Sequence, residues 1–163
     1  MNVETKAYDQ SATTVGMAQI AVIADGEIAR AVLGSCIGLV LYDPQRKLAA
    51  LGHIVLPRGR GGSTPPGKFA DTAIPEMIEQ LAGRGVFRGN LIAKLGGGAN
   101  MFAATGPMQI GESNLAAIQE ILDEQNIPIA GQHVGGSKGR RISFDCATGV
   151  LTVEMAGEEP VTL

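Results

Sequence analysis

Four apolar segments of strand length follow one another closely between Met17 and Leu56: Met17–Ala24, Glu27–Leu33, Ile37–Tyr42 and Leu48–Leu56. Each is nearly continuous in apolar character, where a half-exposed strand would alternate. Continuous runs of this length are the pattern of strands covered on both faces. Asp25-Gly26 between the first two is a hairpin-type turn signal. Gly34-Ser35, Asp43-Pro44 and Pro57 close the next three.

Downstream the period changes. Ile74, Met77, Ile78 and Leu81 fall at i, i+3, i+4 and i+7, so an amphipathic helix is predicted to about Ala82. Pro75 is tolerated only in a first turn, which sets the expected start near Thr72 as N-cap. Gly83 and Gly85 end the helix. Leu91–Leu95 reads as a strand. Leu115, Ile118, Ile121 and Leu122 mark a second helix over roughly 111–125. Ile127–Val134, Arg141–Asp145 and Val150–Met155 read as strands, the last two joined by a turn at Thr148-Gly149. Many strands, two main helices and little β-α-β alternation predict an α+β fold. It is a layered α/β sandwich of mixed or antiparallel β-sheets.

At 163 residues the chain is one domain by length. Residues 1–14 are polar and aperiodic and read as a mobile tail, leaving 15–163 as a single domain. Residues 57–67, Pro-Arg-Gly-Arg-Gly-Gly-Ser-Thr-Pro-Pro-Gly, form a surface loop. Coming directly after the fourth strand, the loop is either an active-site flap or a plain connector. Its Arg58 and Arg60 either meet an acidic partner surface or are solvated.

Net charge is −3, no basic block occurs and aromatics are 4%, which argues against a nucleic-acid-binding surface. The longest apolar runs are strand-sized, so no membrane insertion is expected. The N-terminus lacks the basic and apolar regions of a signal peptide. Two cysteines, Cys36 and Cys146, stand 110 positions apart and make no disulfide framework. A reducing, cytoplasmic location is the expectation.

The chemistry-bearing candidates are few. Cys36 follows a Gly34-Ser35 turn, and His53 lies on the next apolar run. An imidazole can take a thiol proton and hold a thiolate–imidazolium pair, lowering the effective thiol pKa. The same two residues could equally be an inert core Cys and a satisfied core His. Gly96-Gly97-Gly98 lacks the Lys-Ser/Thr ending of a phosphate loop and reads better as close backbone packing beside Cys36. Cys36, Cys146, His53 and His133 have no paired spacing, so no metal is expected. Cys146 reads as an incidental thiol at a hairpin tip, and His133 as a spare imidazole. Arg140 and Arg141 read as one structural ion pair and one solvated charge. Met101 and Phe102, in a Gly/Ala-rich loop, are either core anchors or partner contacts.

Leu33-Gly34-Ser35-Cys36-Ile37-Gly38 with Tyr42-Asp43-Pro44, then Gly52-His53-Ile54-Val55-Leu56-Pro57, resembles the chemoreceptor glutamine deamidase family, CheD. Pro66–Ala73, Gly97-Gly98-Ala99-Asn100-Met101-Phe102, Ile110-Gly111-Glu112-Ser113-Asn114, and Gly135-Gly136 with Gly139-Arg140-Arg141 are similar in the same order. The resemblance runs from about Met17 to about Met155. It implies a cysteine hydrolase of bacterial chemotaxis, a protein-glutamine glutaminase that converts specific receptor glutamines to glutamate. Cys36 would be the nucleophile and His53 the general base, with Gly34 and Ser35 shaping the oxyanion turn. It implies no cofactor. The implied partners are the cytoplasmic helices of chemoreceptors, as substrate, and a CheC-type phosphatase, for which Phe102 is the candidate contact. One position departs from the family: its third catalytic member is a Thr six residues before the Cys, and here that position is Arg30. A guanidinium has no acceptor for a neutral imidazole N–H. Either another group orients His53, or Arg30 points away, or the enzyme is weak or inactive. The alternative function is a non-catalytic adaptor that regulates a CheC-type phosphatase or docks on receptors. A different thiol hydrolase, such as a peptidase, is a third.

Overall fold

The computed structural model describes residues 12–59, 64–101 and 109–163. The strands are β1 (Ala12–Thr14), β2 (Ile20–Ala24), β3 (Ile28–Leu33), β4 (Ile37–Asp43), β5 (Leu48–Ile54), β6 (Ile92–Gly97), β7 (Ile129–Val134), β8 (Arg140–Asp145), β9 (Val150–Glu154) and β10 (Val161–Thr162). The helices are α1 (Ala70–Ala82) and α2 (Ile110–Glu124), with 3-10 turns at Pro66–Lys68 and Arg88–Asn90. Two five-stranded sheets have the orders β1-β3-β8-β9-β10 and β2-β5-β4-β6-β7. Both mix parallel and antiparallel pairs.

The second sheet lies in the middle, and this explains the continuous apolar runs. Every residue of β4 is buried. On one face Ile37, Leu39 and Leu41 pack against Ile74, Met77 and Leu81 of α1 and Ile118 of α2. On the other, Cys36, Val40 and Tyr42 pack against Leu33, Ile142 and Phe144 of the outer sheet. Tyr42 and Phe144 meet edge to face at 5.0 Å between ring centroids, and the Tyr42 hydroxyl donates to the Cys146 carbonyl at 3.0 Å. The architecture is an α+β sandwich of three layers: outer sheet, central sheet and helices.

Three local expectations are corrected. Asp25-Gly26 does turn the chain, but β2 and β3 do not pair as a hairpin. β2 pairs with β5, and β3 pairs with β1 and β8. The turn carries the chain from one sheet to the other, because both strands have a face to bury and the layers provide it. Second, α1 begins at Ala70, with Phe69 as N-cap, so Pro75 sits inside the helix. The Thr72 hydroxyl donates to the carbonyls of Pro66 and Phe69 at 2.6 and 3.2 Å. Pro75 removes the donor that would reach the Asp71 carbonyl, and burial of Ala73, Ile74 and Met77 outweighs that loss. Third, of the predicted tail, residues 1–11 lie outside the described residues, while 12–14 form β1 in parallel register with Ile28–Arg30.

Candidate active site

Strand register brings Cys36 and His53 to the same face of the central sheet. Gly38 pairs with His53, and Ile37 with Ile54. Side chains alternate along each strand, so Cys36, Gly38 and His53 all face the outer sheet. Cys36 stands one step beyond the last ladder pair, diagonal to His53, a relation that spans roughly 7–8 Å between backbones. Gly38 presents no side chain between them. Both residues are buried, Cys36 at 7% and His53 at 4% exposure. No hydrogen bond joins the sulfur to the imidazole among the described residues. Burial raises the Cys36 thiol above its ordinary pKa, and its own backbone N–H works the other way. The lowered thiol pKa expected from the sequence is therefore not what the resting site displays.

The imidazole is held firmly. His53 Nδ1 lies 2.9 Å from the Val15 carbonyl oxygen. A carbonyl only accepts, so Nδ1 carries a proton, and in the neutral ring Nε2 keeps a lone pair. The same segment grips the His53 backbone: its N–H donates to the Gln19 carbonyl at 3.0 Å, and its carbonyl accepts from the Ala18 N–H at 2.9 Å. Val15 itself is tied to β3 by its N–H, which donates to the Arg30 carbonyl at 2.8 Å. The connection from β1 to β2 is thus a cradle for His53, and no motif in the sequence announced it.

Arg30 faces elsewhere. On β3 the residues Ala29, Ala31 and Leu33 face the inter-sheet core, so alternation places Arg30 on the outer face with Val32, which is 68% exposed. Of the ways in which Arg30 could be accommodated, two hold together: its side chain leaves the inter-sheet space, and a backbone carbonyl orients the imidazole.

The Cys36 turn is anchored by the glycine loop after β6. The Gly34 carbonyl accepts from the Ala99 N–H at 3.0 Å, and the Cys36 carbonyl from the Gly98 N–H at 2.9 Å. At Gly97, with φ of 106°, a Cβ would collide with the Cys36 carbonyl. The glycine cluster is therefore backbone packing beside Cys36. Asn114, buried on the first turns of α2, donates to the Ser35 carbonyl at 3.1 Å and to the Val55 carbonyl at 3.0 Å. Sequence reasoning placed Asn114 only at a helix start; a buried amide cannot be told from an exposed one without the fold.

Other candidates resolve differently. Arg140 makes no ion pair among the described residues. Its guanidinium bonds His133 Nδ1 and the carbonyls of His133, Gly135 and Lys138. His133 therefore has a partner, and the ion pair at this corner is Lys138–Glu158 at 3.0 Å. Cys146 is fully buried, with its thiol pushed up to about 12, first by burial and then by nearby carboxylates. Arg58 pairs with Glu120 at 3.2 Å in an exposed bridge. Arg60 and Phe102 lie outside the described residues. No cluster of three or more potential metal ligands occurs among the described residues. No helix among them is long and apolar enough to cross a membrane.

The comparisons agree with one another. The family model for CheD, described as CheD chemotactic sensory transduction, matches residues 55–155. A protein of Clostridium botulinum strain Alaska E43, named probable chemoreceptor glutamine deamidase CheD, is 40% identical over 149 residues, covering 88% of this chain and 92% of its own. Its namesake from Geobacillus kaustophilus is 37% identical over 156 residues, covering 91% and 94%. One from Methanococcus vannielii is 36% identical over 146 residues, covering 88% and 95%. The family-model match begins after His53, but at 88% coverage the relatives leave too little of the chain aside to omit Cys36 and His53.

Proposed function

The chain belongs to the CheD family, and on that premise we propose that it hydrolyses the side-chain amide of chemoreceptor glutamines to glutamate, with Cys36 as nucleophile and His53 as general base. The observation that carries this reading is the placement of Cys36 and His53 on one sheet face, with the imidazole fixed as the tautomer that leaves Nε2 able to accept a proton.

His53 Nε2 takes the Cys36 proton, and the sulfur forms a bond to the amide carbon while the carbonyl electrons move onto oxygen. The intermediate collapses, the C–N bond breaks, and the imidazolium proton goes to the departing ammonia. A water then gives its proton to His53 and attacks the thioester, and the C–S bond breaks as the imidazolium returns that proton to the sulfur. The products are a glutamate side chain and the restored thiol–imidazole pair. Burial disfavours a standing thiolate at Cys36, and in this reading His53 takes the proton as the sulfur attacks. The chemistry uses no metal and no organic cofactor.

Incubation with a receptor cytoplasmic fragment tests the reading. Mass spectrometry should find gains of about one dalton at discrete glutamines, the difference expected from amide hydrolysis, and Cys36→Ala should remove them. Their absence with the unmodified chain would defeat it.

A second reading, a non-catalytic adaptor for a CheC-type phosphatase or a receptor, is favoured by the raised Cys36 thiol and by the lack of a sulfur–imidazole hydrogen bond among the described residues. Met101, 48% exposed beside the Cys36 turn, would belong to such a surface. Binding to a CheC-type protein without any mass gain on receptor would select this reading.

A further inference from the structure

Three successive carbonyls of the cysteine turn are each gripped from outside it. Backbone N–H groups of Ala99 and Gly98 hold those of Gly34 and Cys36. The middle one, of Ser35, is held by a side chain, Asn114 Nδ2 at 3.1 Å. The second hydrogen on the same nitrogen serves the Val55 carbonyl at 3.0 Å. Ser35 and Val55 flank the ladder just past its last pair, Ile37 with Ile54. Asn114 therefore clasps the nucleophile turn to the strand that has just delivered His53.

The amide is an odd choice for packing alone. Asn114 is fully buried, and its Oδ1 has no hydrogen-bond partner among the described residues. A buried acceptor left unpaired is destabilising, while an apolar side chain of similar size would instead leave the Ser35 and Val55 carbonyls without this donor. What Asn114 supplies is its donor end. In a planar trans peptide the carbonyl of one residue and the N–H of the next point in opposite directions, and no cis peptide occurs among the described residues. Holding the Ser35 carbonyl therefore fixes where the Cys36 N–H points. That N–H reaches no backbone acceptor among the described residues.

We propose that Asn114 is a positioning residue for the Cys36 reaction: through the Ser35 carbonyl it aims the Cys36 N–H at the oxygen that becomes negatively charged when the sulfur attacks a carbonyl carbon. The inference rests on the deamidation reading for its biological substrate, but its test does not use that substrate.

The test compares two reagents on the whole chain. p-Nitrophenyl acetate acylates a thiol through a tetrahedral oxyanion, forming a thioester and releasing p-nitrophenolate. Iodoacetamide alkylates by displacement of iodide at a saturated carbon and makes no oxyanion. Mass mapping assigns each product to Cys36. In Asn114→Leu, acylation of Cys36 should fall about ten-fold or more, as expected when an oxyanion donor is misaimed, while alkylation stays within about three-fold. A merely structural role would slow both reagents in the same proportion, and that result overturns the proposal. So does no change in either, or a wild-type Cys36 whose acylation-to-alkylation ratio equals that of free cysteine. If Asn114→Leu fails to fold, Asn114→Ser, with one hydroxyl donor in place of two amide hydrogens, is judged by the same ratio. The receptor fragment is assayed alongside. A clear Asn114 effect with no mass gain on receptor would reject the deamidation reading and leave the positioning role standing. Mass gain without the Asn114 effect would do the reverse.

Discussion

His53 Nδ1 and the Val15 carbonyl oxygen lie 2.9 Å apart, on segments that are 38 residues distant in the chain. The contact decides the proton inventory of the site. Nδ1 must donate, so Nε2 is the only ring atom that can accept the Cys36 proton. A carbonyl does here what a side-chain hydroxyl was expected to do, and the backbone is a more fixed acceptor than a rotatable hydroxyl.

Arg30→Thr is the first consequence. With Arg30 on the outer face of its sheet and His53 oriented from Val15, restoring a hydroxyl at position 30 should change receptor deamidation by less than about three-fold, well short of the roughly 1 kcal/mol or more that one orienting hydrogen bond is worth. A ten-fold gain would mean that the introduced hydroxyl reaches the imidazole, and the face assignment would be wrong.

The second concerns the N-terminal strand. Deleting residues 1–14 removes β1 and its parallel pairing with β3, which seats Val15. The His53 tautomer is then no longer held. Deamidation, and Cys36 alkylation at neutral pH, should each fall about five-fold or more, the cost of roughly one hydrogen bond to His53. A deletion variant that folds and keeps full activity would show that Val15 does not need its strand.

Much of this was legible in the residues. Continuous apolar runs announced two-sided burial of β4, and the structure places that strand between two layers. The Gly97 reading survived because a positive φ and a close backbone approach both leave glycine as their trace. The illegible parts depend on contacts between segments far apart. The Val15 carbonyl has no sequence signature, since every residue has a carbonyl. Asn114 donates to two backbone carbonyls, and nothing in a helix-start motif says which. Asp25-Gly26 misled because a turn signal fixes the reversal but not the partner, and here the layers compete with the hairpin for β2 and β3.

The two thiols should separate cleanly. Cys36 sits at the sheet end with its thiol raised by burial, and Cys146 lies fully buried with its thiol pushed up to about 12. In the native chain Cys36 should alkylate at least about ten-fold faster than Cys146 at neutral pH, because reaction follows thiolate fraction and access. His53→Ala should slow Cys36 and leave Cys146 unchanged. Equal rates for the two thiols would argue against a base at Cys36.

Cys146 also predicts a pH dependence of stability. Its folded pKa lies above the unfolded value of 9.0. Above that value the unfolded chain has lost the proton while the native chain still holds it, so rising pH favours unfolding. The contribution is intact below pH 9 and is lost progressively between about 9 and 12. Urea midpoints should fall across that window, and Cys146→Ala, though less stable at neutral pH from its cavity, should show a shallower decline. Identical slopes would assign the alkaline loss to other groups.

Gly97→Ala probes the anchoring of the turn. At φ of 106° an L side chain is strained, and the added Cβ would run into the Cys36 carbonyl and the Leu33 side chain. The collision with backbone cannot be relieved by a rotamer change. Relief requires moving either β6 or the Cys36 turn, and the turn is the part held by fewer bonds. The variant should lose about 2 kcal/mol or more of stability. Because the shift lands on the turn, its Cys36 acylation should also fall while the thiol of Cys146 stays protected. By contrast, Gly26→Ala, in an open turn at φ of 87° with nothing within 4 Å of the new Cβ, carries conformational strain alone. It should cost only about 1–2 kcal/mol and leave Cys36 reactivity unchanged. Equal losses in the two variants, measured by urea unfolding, would show that strain, and not the contact with Cys36, governs position 97.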